Sequence, residues 1–258
     1  MAKKKKKKKQ VLGPVSLLTL LRESRTGVGD TRPLAVAGAR ELVPVLAREL
    51  RAGGDPSAVV ENRVDGVAAL VWIGPPDEQE LRKASRAGIP IVAVSEEAEV
   101  PYVLAEHVVH PEAGHGFPVE RIAQALAHAL AERGAALASR LPVLRGPLAD
   151  HLIESMARKN GLISAAVFIP GVDMPMLTIN QARLLLRLAV IHGQTIDRER
   201  LPELAGVVGA GFALRAAARE LLDLIPVAGW AVKGAVAYTG TKAVGRGAQR
   251  YFEERAGS

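Results

Sequence analysis

No cysteine occurs anywhere in the 258 residues, which excludes disulfide bridges, thiolate metal sites and a cysteine nucleophile, and fits a reducing cytoplasm. Aromatic residues are scarce: two Trp, three Tyr and four Phe, none of them adjoining the basic N-terminal block. Proteins that read single strands interleave cations with stacking rings, so sequence-specific nucleic-acid binding is not expected, and contact of the basic block with polyanions would be unspecific and weakened by salt. Long apolar runs are missing as well. The longest stretches without charge are 12 residues, Gln10–Leu21 and Gly161–Val172, where a spanning helix needs about 20. Leu224–Thr241 extends for 18 residues but carries Lys233 near its middle. A lysine at the bilayer centre costs about 2.5–3.5 kcal/mol, so packing against protein is expected for this segment, with reversible insertion or an interfacial position left open.

Nucleotide-binding signatures are also lacking. The stretch Pro33–Leu50, PLAVAGARELVPVLAREL, has the apolar run, glycine and helical pattern with which a nucleotide-binding domain often begins. A phosphate loop needs G-x-x-x-x-G-K-[ST], and counting from Gly38 the last three positions hold Val43, Pro44 and Val45. No second glycine, lysine or hydroxyl is present, and Pro44 has no backbone donor. The dinucleotide fingerprint G-x-G-x-x-G fails with Arg40 and Val43 at its second and third glycines. Where a GTPase would carry N-K-x-D after the strand Pro90–Ser95, the chain reads Ser95-Glu96-Glu97-Ala98. Gly38 is therefore expected to make a plain turn, and no cofactor-binding residue is assigned.

What is present starts with charge. Lys3, Lys4, Lys5, Lys6, Lys7, Lys8 and Lys9 account for the whole formal excess of +7, because the other 27 basic residues equal the 27 acids. A run of like charge stays extended and acts as an electrostatic tail. After Pro14, Leu17, Leu18, Leu20 and Leu21 make a short amphipathic helix that either docks on the domain or, beside seven lysines, lies in an anionic membrane interface through Leu17, Leu18 and Leu21. A basic block before apolar residues resembles a secretory signal, but it passes into RESRTG without a small-residue cleavage site. Export is not expected, and the cytoplasm, including the inner face of the cell membrane, is.

From Thr31 apolar strands and helices alternate: strands at Leu34–Ala37, Ala58–Glu61, Ala68–Ile73, Pro90–Ser95 and Tyr102–Leu104, and helices at Glu41–Arg51, Asp77–Ala87 and Pro118–Arg133. Runs such as AALVWI and IPIVAV, apolar throughout, are those of a parallel sheet covered on both faces. Residues 31–140 thus form a three-layer α/β domain, Rossmann-like or degenerate GTPase-like. SRLPVLRGPLAD, with Pro142, Gly146 and Pro147, is expected to be a linker.

Residues 145–255 are expected to be a helical domain, since the periodicity beyond the linker is helical throughout. Leu148, Leu152, Ile153 and Met156 share one face of a first helix that should stop at Asn160-Gly161. Asp173 can cap a second helix running to Ile191, with Gly193 just past its end. Helices Arg200–Leu222 and Ala228–Glu253 should then form an antiparallel hairpin. Gly206 and Gly209 on one arm face Gly229, Gly234 and Gly240 on the other, and glycine costs about 1 kcal/mol relative to alanine in a helix, so this many argues for close helix packing or oligomerisation.

Candidate chemistry is thin. His107, His110 and His115 near Glu112 read as surface histidines, because zinc needs ligands at fixed geometry with a second shell. His192 reads as a complement to a helix C-terminus. Asp77/Glu78/Glu80 and Asp197/Glu199 sit in helix first turns, and Glu96/Glu97/Glu99 follow a strand without a partnered base or nucleophile. No catalytic residue and no metal ligand is assigned.

Two segments of the C-terminal half, IPGVDMPMLTINQARLLLRLAVIHG and LIPVAGWAVKGAVAYTGTKAVG, carry a family resemblance. With Pro170, Gly171, Asp173 and Pro175 preceding the run from Pro226 to Thr241, residues 161–253 resemble the bacterial domain of unknown function 697 of YcjF-like proteins, a module also attached to Era-like GTPases. The resemblance implies a helical, membrane-associated module with no assigned reaction. The expectation is a non-enzymatic membrane-associated or protein-interaction module, meeting an anionic membrane surface or a protein partner and able to self-associate. The alternative is a GTPase-related nucleotide-binding protein with an unorthodox phosphate site.

Overall fold

The computed structural model describes residues 30–112, 114, 116–166, 174–194 and 230–256. The lysine block, Leu17, Leu18, Leu21, Gly206, Gly209, Gly229, Asp173, Asp197, Glu199 and His115 lie outside them.

The α/β half contains β1 (Leu34–Gly38), α1 (Val43–Arg51), β2 (Val59–Glu61), β3 (Ala69–Ile73), α2 (Glu78–Arg86), β4 (Ile91–Val94), β5 (Val108–Val109) and α3 (Val119–Leu130). Its five strands are all parallel, in the order β2-β1-β3-β4-β5. Alternation along the strands builds three layers. Leu34 and Val36 point to the face covered by α1 and α3, whereas Ala35, Ala37, Leu70 and Trp72 point to the face covered by Leu81 and Ala84 of α2. α2 starts as expected, with the Asp77 carboxylate accepting from the amides of Gln79 and Glu80 at 2.9 and 3.2 Å.

One expected strand is misplaced. Tyr102–Leu104 is a turn with Tyr102 at φ 65°, and the fifth strand is Val108–Val109, whose Val108 pairs with Ala93. Register decided this: the later valines meet the free edge of β4, and the earlier residues serve the crossover.

The helical half contains α4 (Ala135–Arg140), α5 (Pro142–Ala166), α6 (Met174–Ile191) and α7 (Trp230–Ala256). The expected linker is instead helix, interrupted only at the extended Leu141. Pro142 takes the first position of α5, which needs no amide donor, but Pro147 sits in its interior. An interior proline costs about 3 kcal/mol, and burial of Leu141, Leu144, Leu148 and Leu152 in a common core outweighs it, at about 1.5–3 kcal/mol per fully buried leucine. Arg140 clamps the junction, donating to Asp55 Oδ2, Thr31 O and Ser57 Oγ at 2.9, 2.8 and 3.0 Å.

α5 also continues past the expected stop at Asn160-Gly161. Asn160 is fully buried with its side chain in the helix interface, and a Cβ on Gly161 would lie 3.1 Å from Gly234 O, so the glycine admits α7 and does not end the helix. The close approach expected inside a hairpin is thus found between α5 and α7. The other hairpin arm lies outside the described residues. At the end of α6 Gly193 takes φ +70°, and the amides of Gly193 and Gln194 close on Val190 O and Ala189 O.

The sheet, and no linker, divides the core. One buried cluster runs from Leu34 and Val71 through Leu126 and Leu148 to Leu188 and Phe252, joining the sheet to the helices, and a smaller one fills the α2 side.

Candidate functional site

Ligands of open parallel sheets settle at the carboxyl ends of the strands, where the strand order reverses. That reversal lies here between β1 and β3. The backbone closes it. Gly38 adopts φ +123°, a Cβ there would come within 2.1 Å of Ile73 O, and the next amide, of Ala39, donates to the same carbonyl at 2.8 Å. The amides of Leu42 and Val43 both turn back to Ala39 O, and Pro44 has none to give. A phosphate cradle presents such amides to its ligand. This turn spends those of Ala39, Leu42 and Val43 on itself.

Between the ends of β3 and β4 a cavity of about 370 Å³ opens, lined by Leu42, Ile73, Gly74, Pro75, Val94, Ser95, Glu96, Glu97, Pro111 and Phe117. The Trp72 indole holds Pro75 O at 2.9 Å. Ser95 is buried, its Oγ accepts the Glu97 amide at 3.1 Å and its carbonyl faces His110 Nδ1 at 3.0 Å. Glu96 and Glu97 are exposed at the rim, while Glu99 lies farther along the loop.

The histidine segment is tied down from both sides. Arg121 donates to Glu112 at 3.1 Å and to His110 O at 2.8 Å. His107 is not at the surface as expected: it is buried, and burial pushes its imidazole below the ordinary value against the opposing pull of Glu106. It follows the apolar turn into β5, so the strand's own burial carries it inward. Among the described residues no group of three or more candidate ligands gathers to hold a metal.

Protein-family models, curated proteins and solved structures yield no match to the chain.

A second, wider recess of about 1030 Å³ runs between α3 and α5, with Glu120, Gln124 and His128 on one wall and Asp150, His151 and Glu154 on the other. The His128 and His151 rings stand 4.4 Å apart, and burial, followed by the charges of His128 and Arg158, lowers the pKa of His151. Glu154 binds Lys242 at 2.9 Å, Arg158 at 2.9 Å and the Tyr238 hydroxyl at 2.9 Å, which together hold its carboxyl down to about 2. Arg246 pairs with Asp150. Deeper in, Asn160 Nδ2 donates to Thr241 Oγ1 at 3.0 Å and Asn160 Oδ1 accepts from Asn180 Nδ2 at 2.8 Å, locking α5, α6 and α7 together. Asn160 was read from sequence only as a helix end, and the others were not singled out, because most of the partners sit on different helices; Glu154 and Arg158, four residues apart on α5, are an exception.

His192 departs from its expected role. It is buried, 6.1 Å from the Phe252 ring, and burial lowers its pKa, which works against the charge a helix C-terminus would attract. The helix terminus is closed by backbone bonds, and packing of α6 on α7 carries the ring inside. Gly234 lies in the α5–α7 seam and Gly240 is half-buried on α7, whereas Lys233 is exposed. Among the described residues no helix is long and apolar enough to cross a membrane.

Proposed function

We propose that the protein is a non-catalytic interaction module that attaches to an anionic membrane surface at the inner face of the cell membrane and presents its helical half to a protein partner or a second copy. The observation that carries the non-catalytic part is the turn after β1, where the amides of Ala39, Leu42 and Val43 are taken by Ile73 O and Ala39 O at positions where a phosphate loop would expose them. Attachment rests on the block Lys3–Lys9, each lysine worth about 1 kcal/mol near anionic lipid, and on the resemblance to the membrane-associated YcjF-like module. Within this reading the α/β half is a Rossmann-like, doubly wound sheet kept for contacts, supported by its parallel order β2-β1-β3-β4-β5.

The alternative, nucleotide binding through an unorthodox phosphate site, draws on one feature, the cavity at the ends of β3 and β4. Calorimetric titration of the full chain with GTP and with ATP, each with magnesium, separates the two. The proposal expects no saturable heat, and micromolar binding of either nucleotide would replace it with the alternative.

A further inference from the structure

The strand-end cavity has a chemistry of its own. Six of its lining residues, Leu42, Ile73, Pro75, Val94, Pro111 and Phe117, are apolar, and its charge comes from Glu96 and Glu97 alone, with no lysine or arginine in the lining. Several carboxylates elsewhere in the molecule are paired with cations: Glu61 with Arg51, Asp65 with Lys83, Glu112 with Arg121 and Asp150 with Arg246. Among the described residues neither Glu96 nor Glu97 has a cationic partner, although both border a cavity within the range of about 300–1,000 Å³ typical of small-molecule sites. Their loop is fixed where it leaves the sheet, by the Glu97 amide on Ser95 Oγ and by His110 against Ser95 O.

An anion entering here meets two like charges and no donor side chain except a serine hydroxyl. A cation meets two unpaired acceptors, and Phe117 adds an aromatic ring, whose face attracts positive charge. The apolar floor accepts a compact hydrocarbon body. We propose that this cavity binds a small organic cation, an ammonium or guanidinium group carried on a compact apolar body, with Glu96 and Glu97 holding the charge and Phe117, Ile73 and Val94 the body. The site goes beyond the membrane-attachment reading and stands or falls independently of it, since neither the lysine block nor the helical half takes part.

The test uses the full chain at low salt, titrated with phenethylammonium and, separately, with 3-phenylpropanoate, an anion of similar shape, while amide resonances of Gly74 and Ser95–Glu97 are followed by NMR. Saturable shifts in the low-millimolar range or tighter are expected with the cation and none with the anion. The double variant E96Q/E97Q should weaken the cation about tenfold. Because both side chains are exposed, this variant keeps the fold, which an unchanged amide spectrum elsewhere verifies. E99Q, on the same loop but off the cavity, should change affinity by less than twofold and separates local contact from overall charge. Equal binding of the anion, no saturation with the cation, an unaffected E96Q/E97Q or an equal loss in E99Q would each overturn the proposal.

Discussion

Gly234 and Gly161 meet across the α5–α7 seam with no room for a side chain on either. A Cβ on Gly234 would stand 3.0 Å from Gly161 O and 3.1 Å from Ala165 Cβ, and a backbone carbonyl in a packed helix cannot swing aside. Gly234→Leu recovers the helical propensity glycine forfeits, about 1 kcal/mol, but overpacking costs about 1–3 kcal/mol and leucine brings three further carbons into the seam. The net expectation is a lower melting temperature by several degrees. Gly247→Ala, on the exposed side of the same helix with open space around it, should raise stability by up to about 1 kcal/mol. Thermal unfolding of the two variants checks both, and a Gly234→Leu protein as stable as wild type would remove close packing as the reason for the glycine.

Titration also belongs to single residues. His107, His151 and His192 are all depressed below 6.5 chiefly by burial, so each contributes stability in full above that pH and loses it as pH falls through the lowered folded value. Glu154 acts later: its stabilisation is present above about 4.5 and is lost as the carboxyl protonates toward about 2. Urea midpoints should hold near neutrality, begin to fall below pH 6.5, and fall further below 4.5. His192→Gln, which removes a buried imidazole whose Nε2 meets no hydrogen-bond partner among the described residues, should flatten the first descent. An equal midpoint at pH 7.5 and 5 in wild type would contradict this.

At the scale of elements, legibility followed burial on two sides. The sequence placed β1, β3 and β4 within a residue or two because runs such as ALVWI are apolar throughout, and it placed α2 with Asp77, Glu78 and Glu80 at its start. It failed where a local breaker was overruled by distant packing. Pro142, Gly146 and Pro147 spelled a linker, yet Leu144, Leu148 and Leu152 reach the shared core only if the chain stays helical. Asn160-Gly161 spelled a helix end, yet both residues serve α7, which follows about 70 residues later. Pro147→Ala tests whether the proline is a cost tolerated by α5: it restores an amide toward Val143 O in a half-buried position and should stabilise by about 1–3 kcal/mol. A drop in melting temperature would mean that the proline's shape serves the groove it lines.

For the whole molecule, the sheet and the helices form a body whose larger core crosses from one to the other, clamped by Arg140 at the α4 end and by Asn160, Asn180 and Thr241 in the helices. The candidate sites were legible only in part. The closed turn at Gly38 matches the missing lysine and glycine of a phosphate loop, but the cavity beside it depends on Leu42, Glu96 and Phe117 coming from three separate connections, which no sequence spacing encodes. The excess positive charge is concentrated in seven consecutive lysines, Lys3–Lys9, while the remaining charges balance. Attachment by such a tail is electrostatic, so it must weaken as salt shortens the screening length from about 10 Å at 0.1 M to about 3 Å at 1 M.

Co-sedimentation of the full-length protein with phosphatidylserine-containing liposomes, at low and high salt, beside a variant with Lys3–Lys9 replaced by glutamine, tests this account most directly. The account predicts that wild type pellets with the liposomes at low salt, is released by high salt, and fails to pellet once the lysines are gone. Absence of wild type from the pellet at low salt, or equal sedimentation of the lysine-free variant, would contradict it.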